Sequence, residues 1–184
     1  MKRLRLIIPG LALAALTTTG CFLLTAQIIV STSLGNLSAI NGAASAGKYI
    51  DLSVESSDYA DHKDKLKDIP DIAVLGTIKN NLASPVSADV WLVTNPSGSA
   101  LLPSLAAVQA AGGIKVWSLG LAASETKTID WDTSATLFTP AGKAALINDI
   151  KGDGIFTLYV FGSTDTYNLT VTNGVVVVII SAAP

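Results

Sequence analysis

The 184-residue chain has one cysteine, one histidine and only two arginines, both within the first five positions. A lone cysteine excludes an internal disulfide and any cysteine-built zinc site, and a lone histidine excludes most metal clusters and catalytic triads. Charge is scarce as well: 14% of residues are charged against 49% hydrophobic, which excludes a disordered polyelectrolyte and a Glu/Lys-rich coiled coil. No Gly-x-Ser-x-Gly elbow is present, so no serine nucleophile is marked out. Gly47-Lys48 is followed by Tyr49, where a phosphate loop needs the Ser or Thr that binds magnesium. What remains is enough chain for one domain with a tail. The expectation is a protein with no enzyme activity, no cofactor and no metal.

Residues 1–21 consist of a basic start (Lys2, Arg3, Arg5), an apolar run over 6–16 and a small-residue end, Thr17-Thr18-Thr19-Gly20-Cys21. That is the architecture of an export signal. The placement of Cys21 at the end of the apolar run, after Leu16 and Thr18-Thr19-Gly20, resembles the lipobox of bacterial lipoprotein precursors. The resemblance implies lipidation of Cys21, which becomes the mature N-terminus, and a protein anchored in the bacterial cell envelope facing the periplasm or exterior. It departs from the usual pattern at Thr18, where an aliphatic residue is common, and in the apolar Phe22-Leu23-Leu24 that follows the cysteine. The alternative is an uncleaved span, because apolar character continues to Val30 and about 20 apolar residues cross a bilayer.

Cleavage would remove three basic residues from twelve, leaving nine lysines against 14 acidic residues and a net charge of −5. An acidic surface without arginine suits neither phosphate nor base recognition, so nucleic acid is not an expected partner. Residues 22–47, rich in Ser, Gly, Ala and Asn and uncharged in 31–47, read as a flexible tether. The folded domain is expected over 48–184.

Within that domain, alternation of Ile50, Leu52 and Val54 with polar residues predicts a strand. The charged segment 56–70, closing at Pro70, predicts a short helix or an ordered loop. Runs at 72–79 and 86–93, separated by Asn80-Asn81-Leu82-Ala83-Ser84-Pro85, predict a hairpin. A helix is expected over 103–111, ended by Gly112-Gly113, and strands over 114–121 and 126–131. Thr139-Pro140 predicts the start of a helix that Gly152 stops. Runs at 155–161, 167–172 and 175–181, the last two joined by Asn173-Gly174, predict a three-stranded meander.

These elements make the fold class all-β: an antiparallel β-sandwich, immunoglobulin- or fibronectin-III-like, of about seven to eight strands with one or two short helical insertions. The order of an early hairpin holding Asn80-Asn81 and Pro85, a strand ending in a Ser-Glu-Thr turn and a final glycine-led hairpin resembles the β-sandwich of late-embryogenesis-abundant and water-stress domains. That resemblance implies a non-enzymatic module of the stressed envelope.

Few constellations suggest chemistry. Asp58, Asp61, Asp64, Asp68 and Asp71 would share one face of a helix and could gather oxygens for calcium, but interleaved Lys63, Lys65 and Lys67 make them a solvated face. Asn148-Asp149-Ile150-Lys151-Gly152-Asp153-Gly154 has the look of a cation loop without the EF-hand spacing, and Gly-Asp-Gly is first a turn sequence. His62, within Asp61-His62-Lys63-Asp64, is expected to be an exposed imidazole. Trp91, Trp117 and Trp131 are expected to pack in the core, with the Asp130-Trp131-Asp132 tryptophan nearest to solvent; exposed together they would form a platform for a glycan or protein partner. A carbohydrate-active or hydrolytic domain using Asp130, Asp132 or Asp153 would need two carboxylates about 5–10 Å apart in a cleft. A third possibility is an assembly subunit that packs through its apolar N-terminus.

Overall fold

The computed structural model describes residues 26–41, 46–164 and 166–183. The segment 1–21 expected to be an export signal, with Cys21, lies outside them. Eight antiparallel strands form two four-stranded sheets. The first sheet runs β1 (Ala26–Ile40), β8 (Asn168–Ala182), β3 (Leu66–Asn80), β6 (Thr126–Ile129). The second runs β2 (Ala46–Asp51), β7 (Ile155–Gly162), β4 (Val86–Thr94), β5 (Ile114–Leu121). Five short helices punctuate them: α1 (Leu52–Glu55), α2 (Ser57–His62), α3 (Leu105–Ala110), α4 (Trp131–Leu137) and α5 (Pro140–Lys151). No helix among the described residues is long and apolar enough to cross a membrane.

The expected antiparallel sandwich is present, but its strand order is that of a jelly roll rather than of an immunoglobulin domain. Chain neighbours therefore change sheets where the sequence predicts hairpins. β3 and β4 do not pair: the buried Asn80 turns the chain from one sheet to the other, its Nδ2 donating to the carbonyls of Ser84 (2.7 Å) and Ala122 (2.9 Å). β7 and β8 likewise lie in different sheets, so there is no C-terminal meander. Asn173-Gly174 is a bulge inside one continuous strand. A type I′ hairpin needs positive φ at both residues, whereas here only Asn173 (φ 53) has it. The chain on both sides keeps β1 and β3 as partners.

The tether assignment for 22–47 is corrected over most of its length. Ala26–Ile40 is the edge strand β1, paired with β8 from Ala26↔Ala182 to Ile40↔Asn168. Val30, Thr32, Leu34 and Ala39 point inward, while Ser31, Ser33, Asn36 and Ser38 face solvent. The small polar residues that suggest a linker are the outer face of an edge strand. Residues 22–25 and 42–45 of that assignment lie outside the described residues.

Two further corrections concern helices. The strand expected from the alternation of Ile50, Leu52 and Val54 ends at Asp51, whose side chain accepts from Ser53 N (3.0 Å) and caps α1. The strand expected to reach Trp131 stops at Ile129, because Asp130 caps α4 by accepting from Thr133 N (2.8 Å). The main core lies between the sheets, with Ile50, Leu52, Leu92, Trp117, Phe156 and Ile180 essentially enclosed. A smaller one forms outside the second sheet, where Val108 of α3 covers Val93, Tyr159 and Phe161.

The open flanks of the sandwich are closed by helices. On one flank, Thr32 of β1 donates to Glu55 at the end of α1, and Glu55 also pairs with Lys48 of β2 (3.0 Å). On the other, Val74 N of β3 donates to the buried Ser134 Oγ of α4 (2.9 Å), and Thr139 N, preceding α5, donates to Val116 O of β5 (2.8 Å). The contacts to Val74 N and Val116 O satisfy strand backbone groups that would otherwise be templates for pairing, while those of Glu55 join side chains across the flank.

Candidate functional site

A cleft with two acidic side chains in its lining is built at the end of α5. Thr139 Oγ1 accepts from Gly142 N (2.9 Å) at its start, with Pro140 at the first helical position as the sequence predicts. Leu146 and Ile150 enter the core. Gly142 allows the helix to lie directly on β5, since a Cβ there would come within 2.4 Å of Val116 Cα. At the other end Gly152 N donates to the carbonyls of Asn148 (3.0 Å) and Asp149 (2.9 Å), and Gly154 N returns to Asp149 O (3.0 Å). Gly154, at φ 70, brings the chain against the buried Tyr59, whose hydroxyl donates to Ile150 O (2.6 Å).

That tight end leaves a cleft of about 370 Å³ between the last turn of α5 and the end of β4, lined by Thr94, Asn95, Ile114, Ala145, Asn148, Asp149, Gly152 and Asp153. Asn95 adopts φ 47, a backbone conformation uncommon outside glycine. Asp149 is only 8% exposed, and its Oδ2 is enclosed without a hydrogen-bond partner. Burial, with the nearby charge of Asp153 adding to it, pushes the Asp149 carboxyl up to about 7. The Tyr59 hydroxyl is pushed up to about 12 by its burial first and then by Asp153, Asp149 and Asp51. In both groups burial is the larger cause and the neighbouring aspartates add to it.

The aspartates expected to share a helix face are divided. Asp58 and Asp61 lie on α2, Asp64 in a following 3-10 turn and Asp68 and Asp71 on β3. Asp68 pairs with Lys151 (2.8 Å), a hydrogen bond that holds its carboxyl below the usual range. For Asp71, burial acts upward, but bonds from Ile72 N, Trp131 Nε1 (2.9 Å) and Lys143 (3.2 Å) outweigh it and lower the carboxyl. Asp130 is lowered by its bonds with Thr133 and is engaged in capping. Asp153 lines the α5 cleft, to which Asp130 and Asp132 do not belong. The three carboxylates of the hydrolase reading are therefore not brought into one cleft. His62 ends α2, its Nδ1 2.8 Å from Asp58 O.

The tryptophans are dispersed. Trp117 is in the main core. Trp91 packs on the outer core beneath Lys115, whose Nζ lies 5.5 Å from the ring centroid and 2.6 Å from the buried Asp89. Trp131 starts α4 and bonds Asp71. They form no common platform. Thr94 and Asn95 carry no site signal in the sequence beyond the turn chemistry of Asn95-Pro96, and only the folded chain places them opposite the α5 terminus.

No protein-family model and no curated protein matches the chain. Among solved structures, it is similar to a chain in the cryo-EM structure of Mud crab tombus-like virus, at 11% identity over 100% of this chain and 93% of that one, with a TM-score of 0.37. So loose a likeness says nothing of what this chain does.

Proposed function

We propose that the protein is an exported lipoprotein, anchored in the bacterial cell envelope through a lipid on Cys21, and that its jelly roll is a non-enzymatic binding or structural module. The observation that supports this reading is the position of the first described strand. β1 starts at Ala26, five residues after Cys21, which limits the connection to about 18 Å at full extension. The domain would then sit at the membrane surface, with the end formed by Ala26, Leu66 and Ala182 inward. Ile29 stands near that end and is 67% exposed, as suits proximity to an apolar layer. The non-enzymatic part rests on the side chains: Asp130 caps a helix, while Asp68, Asp71 and Asp89 are each held by a lysine.

The test is intact-mass and N-terminal peptide mass spectrometry of the membrane fraction from expressing bacteria, beside a Cys21→Ala variant. Mature protein beginning at Cys21 with an acyl mass, absent from the variant, is the expected result. An intact Met1 terminus in both proteins overturns the reading and favours a subunit that uses its apolar N-terminus uncleaved.

A further inference from the structure

Asp149 is a buried carboxylate with nothing to neutralise it. It takes part in none of the ion pairs among the described residues, and neither does Asp153. Lys151 is turned away to Asp68 (2.8 Å), and Lys63 reaches the Asp153 carbonyl (3.5 Å) rather than its carboxylate. Asp153 Oδ1 accepts from Ile155 N (3.0 Å), which fixes the carboxylate. Both acids lie where the backbone dipole of α5 ends negative, the position that favours cations over carboxylates. Left ionised and unpaired, a carboxylate as enclosed as Asp149 costs several kcal/mol.

Besides the apolar Ile114 and Ala145, the side chains lining the cleft carry hard oxygens: the two carboxylates, the amides of Asn148 and Asn95 and the hydroxyl of Thr94. No histidine or cysteine lines it. Hard oxygens in number suit calcium, which accepts irregular coordination, whereas zinc prefers nitrogen and sulfur and magnesium needs near-ideal octahedral geometry. We propose that the cleft between the α5 C-terminus and the end of β4 binds a calcium ion, with Asp149 and Asp153 as its charged ligands. The ion would also link two parts of the molecule distant in sequence, residues 94–95 and 148–153.

The full-length protein in detergent is titrated with CaCl2 by calorimetry after EDTA treatment, and its melting temperature is followed in parallel with CaCl2 and with MgCl2. Wild-type protein is expected to bind one calcium ion and melt higher with it, because a ligand of the folded state alone stabilises by mass action. Asp149→Asn and Asp153→Asn are expected to weaken binding by about tenfold or more each, through loss of a charged ligand. Asp132→Asn, an exposed acid outside the cleft, is expected to bind as wild type does. Absence of a calcium response in the wild type overturns the site, as does equal affinity in all three variants. A response to magnesium alone overturns its assignment to calcium. These results stand apart from lipidation, which the Cys21→Ala experiment decides.

Discussion

The two sheets of the sandwich solve the same burial problem in opposite ways. In the second sheet β7 is buried along nearly its whole length, because α3 and the chain around it cover the outer face as the first sheet covers the inner one. In the first sheet the outer face is only partly covered. Val175, Val177 and Ile179 of β8 stay half-buried there, next to the serines of β1. The first sheet instead has length, three strands of 15 residues. It bends at one level, where Gly35 and Gly76 flank Gly174 and the register shifts on both sides. Gly76, at φ 147, lies so close to β8 that a Cβ would come 3.2 Å from Gly174 Cα. One sheet is held by packing on two faces, the other by a shared kink.

Three substitutions would break or sharpen that contrast. Tyr159→Ala removes an aromatic that is 1% exposed, stacks near Phe161 and accepts from Leu102 N (3.1 Å). It is expected to cost roughly 3–5 kcal/mol in urea unfolding, and a loss below about 1 kcal/mol would mean that the outer core is dispensable. Gly76→Ala places a Cβ at the kink and is expected to cost about 1–3 kcal/mol, from backbone strain and close approach. A neutral result in the same unfolding assay would show that the kink does not require glycine. Val177→Thr, on the half-covered outer face of β8, is expected to change stability by less than about 1 kcal/mol. A larger loss would show that this face is as closely packed as that of β7.

Legibility in the sequence follows the same division. β7 could be read from its unbroken β-branched and aromatic run, and α5 from Thr139-Pro140 and Gly152, because local chemistry alone decides them. β1 could not, since an edge strand with one solvent face needs only Val30, Thr32 and Leu34 inward and tolerates serine elsewhere. Asn173-Gly174 and the 80–85 loop carry turn chemistry, but a jelly roll uses such residues for bulges and sheet crossovers. Local signals give the bend and not the partner. At the α5 terminus the sequence displays Asp149 and Asp153 plainly. That residues 94–95 at the end of β4 share a cleft with them is a tertiary fact that no spacing reveals.

The long strands also set a height. β1, β3 and β8 run nearly the length of the first sheet, from the Ala26–Ala182 end to a cap where Asn81 Nδ2 donates to Asn168 Oδ1 (3.0 Å) and Thr170 Oγ1 (2.8 Å). Fifteen residues at strand rise make about 50 Å of contour before allowance for the kink. A domain fastened at the Ala26 end would carry its asparagine-rich tip that far from the fastening point, so the sheet itself would serve as the rigid spacer that the supposed tether is not.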